Sequence, residues 1–226
     1  SYLINGISLG SVYAIIALGY TMVYGIARML NFAHGDIIMV GGFVIFTMVS
    51  TLGLPPMVGV LVAVIACTVL GVVIERVAYK PLRGASSLAV LITAIGVSYL
   101  LQNVALLIFG SNARQFTSVV NVPSLKLAGG ALSISGVTLV TIITCIVIMV
   151  ALTTFINKTR VGQAMLAVSE DTGAATLMGI NVNSTIAITF AIGSALAAIA
   201  GALLCSAYPS LTPYTGSMPG IKAFVA

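Results

Sequence analysis

The sequence predicts an all-α integral membrane protein, a polytopic helical bundle with broken helices and a possible inverted repeat. Two observations carry the class. Of 226 residues, 60% are hydrophobic and only 6% charged, with a mean hydropathy of +1.20. A soluble domain carries about 25% charge, and a soluble chain this apolar would lack the polar surface to cover its core. The apolar residues also fall in successive runs, most near the ~20 residues that cross a ~30 Å hydrocarbon layer. The first run is followed by others as long, so it is not a lone cleaved signal peptide.

The first run spans about Leu3 to Ala27, with Gly6 and Gly10 at a GxxxG spacing that lets helices approach closely. Arg28 ends it. The stretch Leu30-Asn31-Phe32-Ala33-His34-Gly35-Asp36 then interrupts the apolar pattern. Irregular backbone at membrane depth is tolerated only where it is buried in protein or faces a water-filled cavity. The stretch therefore reads either as a break lining a transport path or as a short loop with His34 and Asp36 wet at the surface. Spacing alone does not separate the two.

The second run, about Ile37 to Leu52, is short for a crossing, which fits a broken element before it. Gly53-Leu54-Pro55-Pro56 is a turn. The third run spans about Met57 to Ile74, and a basic loop follows with Arg76, Lys80 and Arg83. The fourth, about Leu88 to Phe109, holds Gln102 and Asn103 in otherwise apolar sequence. Residues 110–131 form a polar stretch expected outside, and the fifth run covers about Leu132 to Ile156. The loop from 157 to 184 precedes a sixth run, about Thr185 to Tyr208, whose many Gly, Ala and Ser residues suit close packing inside a bundle. Pro209 to Gly220 is a second broken stretch, before an apolar segment beginning at Ile221. A small-residue helix, a break and another apolar run thus occur at 11–46 and again at 190–226, and inverted repeats with broken helices are a recurrent transporter plan.

Charge sets the expected orientation. If every run crosses once, one side receives Arg28, Arg76, Lys80, Arg83, Lys158 and Arg160, and the other Arg114 and Lys126. Lys/Arg excess marks the cytoplasmic side, so the first residue is expected outside. A re-entrant element at 28–36 would reverse whatever precedes it. The net charge of +5 therefore reports orientation; no aromatic-interleaved basic stripe points to nucleic acid. Cys67, Cys145 and Cys205 each lie inside an apolar run and read as buried thiols rather than a disulfide framework or metal site.

The loop 157–184 carries the acidic pair Glu170 and Asp171. Asp171 is a good N-cap. Ala174, Leu177 and Met178 fall at i, i+3 and i+4 on one apolar face, and Gly179 suits the left-handed position that ends a helix. A membrane-surface helix usually carries Lys/Arg on its polar face. An acidic start favours docking in a protein groove instead. The sequence has no GxxxxGK[ST] phosphate loop, and His34 is its one histidine, so no Ser/His/Asp or metal-ligand set is available. Acids inside the runs are nearly absent, with Asp36 and Glu75 at run ends. A self-contained ion-driven carrier usually shows intramembrane ionisable residues, so a permease powered by a separate ATPase fits better. No cofactor is expected on this chain.

Three blocks carry a family resemblance. Asn5-Gly6-Ile7-Ser8-Leu9-Gly10-Ser11-Val12-Tyr13-Ala14 leads through Ala17 to Ile26 into the Asn31–Asp36 motif. Ile74-Glu75-Arg76-Val77-Ala78-Tyr79-Lys80-Pro81-Leu82-Arg83 is the second. Ala167-Val168-Ser169-Glu170-Asp171, continuing to Leu177-Met178-Gly179-Ile180-Asn181, is the third. Together they resemble the LivH-type permeases of bacterial branched-chain amino acid ABC importers. The resemblance implies an inner-membrane subunit that is not itself an enzyme. It would pair with a second, LivM-like permease, two cytoplasmic ATPases and an extracytoplasmic substrate-binding protein. Residues 1–226 then form one transmembrane permease domain, expected to be C-terminally incomplete, with 157–184 as its coupling loop. The general coupling pattern is Glu-Ala-Ala-x-x-x-Gly. Ala174, Ala175 and Gly179 match it, but Gly173 stands where the Glu would be and the acids are displaced to Glu170 and Asp171.

The expectation is a permease subunit for leucine, isoleucine and valine working by alternating access. Coupling to the ATPases falls to Glu170, Asp171, Ala174, Ala175, Leu177, Met178 and Gly179. Asn31, His34, Gly35 and Asp36 are candidates for the translocation path. The same machinery carrying urea or short amides is one alternative; a secondary carrier or channel is another.

Overall fold

A computed structural model describes residues 2–120, 122–123, 125–127 and 132–225. Among them, six helical segments are long and apolar enough to cross a membrane. Helix α1 (Tyr2–Ala27) ends at Arg28, which adopts a left-handed φ of 51°. After an irregular stretch, α2 (His34–Phe46) runs on through a π-helical turn (Thr47–Thr51). Proline at its first position starts α3 (Pro56–Ile74), where the missing N–H costs nothing. A π-helical turn (Glu75–Tyr79) and a 3-10 turn (Lys80–Leu82) prolong it. Ser86 caps α4 (Ser87–Phe109), and Gly110, with φ at 78°, closes it.

Two small antiparallel ladders follow. Strand β2 (Leu125–Leu127) pairs with β3 (Leu132–Ile134), and β1 (Arg114–Gln115) pairs with the distant β4 (Ser210–Leu211). Residues 121, 124 and 128–131 of the polar stretch expected outside lie outside the described residues. Helices α5 (Gly136–Lys158), α6 (Arg160–Glu170), α7 (Thr172–Leu177), α8 (Val182–Ala207) and α9 (Ser217–Val225) complete the order.

Helix α8 is the axis of the bundle, packed against α1, α2 and α3. Two thirds of its membrane-length window is buried (67%), against 6% for α5. Its small residues allow this. At Gly201, a side chain would begin 2.6 Å from the Ile38 carbonyl oxygen, so only hydrogen fits between α8 and α2. Gly6 and Gly10 behave otherwise. A Cβ at either meets nothing within 4 Å, so their GxxxG spacing packs no helix among the described residues.

Three expected boundaries move. The second run begins at His34, not Ile37: Ile37 N–H donates to the Ala33 carbonyl (3.1 Å), which winds His34, Gly35 and Asp36 into the first helical turn. An acid there is favoured by the helix dipole. The fifth helix begins at Gly136 because Leu132–Ile134 is taken up by the hairpin with Leu125–Leu127. The loop 157–184 contains a further helix, α6. Thr159 caps it by accepting from Gly162 N–H (3.0 Å), and Gly162, Met165 and Val168 turn inward.

The basic segments gather at one end. Arg28 Nη2 donates to the Ser169 carbonyl (2.6 Å), and Arg83 donates to Asn183. A cavity of about 370 Å³ there is lined by Arg28, Leu82, Arg83 and Thr172. At the opposite end, Phe116 N–H donates to the Pro209 carbonyl (3.2 Å) and Val119 N–H to Ser206 Oγ (3.2 Å).

Candidate functional site

Two places bring the sequence-derived candidates together. The first is the start of α2. Asn31, His34 and Asp36 are only 1–2% exposed, so the reading of a wet surface loop gives way to a buried break. Tyr79 Oη donates to Asn31 Oδ1 (3.0 Å), joining the break to the far end of the third span. The His34 ring meets Tyr20 edge-on, with centroids 6.0 Å apart, and fits against the backbone at Gly19. Among the described residues, His34 Nε2 has no hydrogen-bond partner.

Gly35 has a steric role. Its backbone lies directly on that of Gly216, and a Cβ on either would overlap the carbonyl oxygen of the other. The starts of α2 and α9 therefore touch main chain to main chain. Both places where a long helix is followed by a break and a second helix, α1–α2 and α8–α9, converge at this contact.

Asp36 ties three helices. Gln102 Nε2 on α4 donates to Asp36 Oδ1 (2.9 Å) and also lies 3.3 Å from Ser98 Oγ and 3.3 Å from Ser217 Oγ of α9. These four side chains, with Tyr99, form the polar lining of a cavity of about 420 Å³. Sequence reasoning noticed Gln102 as a polar residue in an apolar run but did not join it to Asp36. Ser98 and Ser217 carried no local signal.

The second place is α6–α7, at the basic end. Asp171 Oδ1 accepts from the N–H groups of Gly173 (2.7 Å) and Ala174 (3.0 Å), the N-cap expected from the sequence. Gly179 closes the helix with φ at 83°, as expected, and Ile180 N–H donates back to the Ala175 carbonyl (3.0 Å). All three residues of the expected apolar face, Ala174, Leu177 and Met178, are exposed, with Leu177 (90%) and Met178 (82%) projecting at the tip, whereas Ala175 is buried and anchors the helix inward. Glu170 is exposed at the end of α6. The bond from Arg28 to Ser169 holds α6 to the bundle, and Arg83 bonds Asn183 at the start of α8, just after α7. Arg83 also pairs with Glu75, which is 1% exposed, in the one ion pair among the described residues.

The model of the branched-chain amino acid transport system permease component family matches residues 2–226. The chain is 43% identical to the high-affinity branched-chain amino acid transport system permease protein LivH of Salmonella typhimurium, over 98% of this chain and 75% of that protein. It is 42% identical to LivH of Escherichia coli, over 98% and 75%. It is 41% identical to the corresponding permease protein BraD of Pseudomonas aeruginosa, over 99% and 76%. No solved structure matches it. It is a multi-pass membrane protein and the permease component of a transport system, not itself an enzyme. The membrane-length helices, the helix breaks buried at their centre and matches along nearly the whole chain converge on one assignment: the chain belongs to the branched-chain amino acid transport system permease component family.

Proposed function

We propose that the chain is a membrane-spanning subunit of an ATP-binding-cassette importer that moves leucine, isoleucine and valine inward across the bacterial inner membrane. It pairs with a second, LivM-like permease. Two cytoplasmic ATPase subunits hydrolyse ATP, and an extracytoplasmic binding protein delivers the amino acid. No cofactor is assigned to this chain. The basic end, with Arg28, Arg83 and α6–α7, faces the cytoplasm, which puts the start of α1 outside.

One observation beyond family membership carries the coupling role. Leu177 and Met178 stand almost fully exposed at the tip of a capped helix, and the preceding helix, α6, is bonded to the bundle through Ser169. Exposed apolar side chains on a rigid stub, next to the acidic residues Glu170 and Asp171, suit a groove on an ATPase. Asn31, His34, Gly35 and Asp36 lie where two helix breaks meet inside the bundle, which supports a place beside the translocation path.

The test is uptake of labelled solute into proteoliposomes holding the permease with its co-purified partners, ATP inside and binding protein outside. Leucine uptake that vanishes without either component is the expected result. Urea uptake with the same dependence would replace the substrate. Uptake indifferent to ATP and binding protein would overturn the coupled-importer reading in favour of a carrier or channel.

A further inference from the structure

The chain buries two acids and treats them differently. Glu75, 1% exposed, is neutralised by Arg83. Asp36 is equally buried inside the second membrane-length segment, yet neither Lys nor Arg lines the cavity it borders. Its partner is a neutral amide, Gln102. An ionisable side chain left without a counter-charge at membrane depth is costly and marks a functional position.

What surrounds Asp36 defines what would satisfy it. An ammonium group offers three donors and no acceptor. The cavity is lined by the Asp36 carboxylate and by four neutral residues that each carry an oxygen able to accept, Gln102, Ser98, Ser217 and Tyr99. Phe32 and Ile221 supply apolar wall beside them. A volume of about 420 Å³ falls within the roughly 300–1,000 Å³ of small-molecule sites. A cation with an aliphatic body fits this lining; an anion would meet the carboxylate.

We infer that the cavity between α2, α4 and α9 is a subsite for the α-ammonium group of the transported amino acid, with Asp36 as counter-ion and Gln102, Ser98 and Ser217 as hydrogen-bonding partners. The inference rests on the amino-acid importer reading above. The subsite draws on three helices, so an approach or withdrawal of α4 or α9 relative to α2 would change the affinity for the ammonium group. That is what release during alternating access demands.

The experiment uses the assembled transporter in proteoliposomes, with Cys67, Cys145 and Cys205 replaced and Ile95→Cys as reporter. Ile95 lines the cavity and is 39% exposed. Its modification is followed with methanethiosulfonate reagents carrying an ethylammonium or an ethylsulfonate group. The cationic reagent should react at least tenfold faster, and Asp36→Asn should bring the ratio close to one. Leucine and isopentylamine should slow the cationic reagent, whereas 4-methylpentanoate, which lacks the ammonium group, should not. Equal rates, a cysteine that neither reagent reaches, or protection by 4-methylpentanoate as good as by leucine would overturn the subsite.

Leucine uptake by the unmodified complex is measured in the same preparation. Absence of that uptake counts against the importer reading; normal uptake with no charge preference at position 95 counts against the subsite alone. Uptake by Asp36→Asn should fall at least tenfold while Asp36→Glu retains part of it. If Asp36→Asn does not assemble, the reagent ratio and the protection pattern in the chain that keeps Asp36 decide.

Discussion

Asp171→Ala isolates what the coupling helix owes to its cap. Asp171 Oδ1 accepts two backbone bonds, from Gly173 (2.7 Å) and Ala174 (3.0 Å), and the substitution removes both. Losing an N-cap acceptor costs about 1 kcal/mol, within a range of about 0.5–2. Helix α7 has six residues and cannot be stable on its own. Its inward anchor is Ala175, a side chain of one carbon. The cap loss should therefore pass almost undiminished into opening of α7, about fivefold in the closed-to-open ratio. Amide hydrogen exchange over residues 172–178 should rise by that factor. ATPase affinity, measured with the permease in nanodiscs, should fall by a similar one. Asp171→Ser and Asp171→Asn keep an acceptor of nearly equal capping strength while removing the charge. Their amide exchange over 172–178 should match the parent chain. A Ser variant that exchanges as fast as Ala, or unchanged exchange in the Ala variant, would refute the capping argument. Reversing Glu170 and Asp171 together mixes two effects, because reversal at 171 deletes the cap as well as the charge. Glu170→Lys alone tests the charge, since Glu170 is exposed at the end of α6.

Glu75→Ala should lower stability in detergent by about 3 kcal/mol, because it strands the largely buried Arg83; Glu75→Leu combined with Arg83→Leu should lose less, as a melting series would register. Gly216→Ala forces a Cβ onto the Gly35 carbonyl and should cost about 1–3 kcal/mol or more. Gly10→Ala, with open space at that position, should leave the stability of the isolated chain within roughly 0.5 kcal/mol. Arg28→Ala keeps the left-handed backbone and loses the bond to Ser169, whereas Arg28→Gly loses only the bond. The Ala variant should melt lower, by about 1 kcal/mol of backbone strain.

What was legible in the sequence was local chemistry. The Asp171 cap, the Gly179 terminator and the small-residue face of α8 each depend on residues within a few positions, and the structure has all three. Helix α6 was missed because its inward residues, Gly162, Met165 and Val168, are only three, and Ala164, Leu166 and Ala167 between them blur the apolar stripe. The two readings of Asn31–Asp36 could not be separated because burial there is a tertiary fact. Tyr79 lies 48 positions from Asn31, and Gln102 lies 66 from Asp36. Gly216, which makes Gly35 indispensable, comes from the last broken stretch.

The two buried acids show why run ends are poor guides to exposure. From the pattern alone, Asp36 and Glu75 look alike, each a single carboxylate where an apolar run meets polar residues. For Glu75 the remedy is also local. Its helix continues past Ile74 as a π-helical turn, a 3-10 turn follows, and Arg83, eight positions on, folds back onto it. For Asp36 the arginine at the same separation, Arg28, eight positions back, turns away to the Ser169 carbonyl, and the hydrogen bond comes from a neutral amide on another helix. A structural acid could have been given a local counter-charge, as Glu75 has been. Its absence at Asp36, where α2, α4 and α9 meet around a polar cavity, is the strongest sign that the missing positive charge belongs to what passes through.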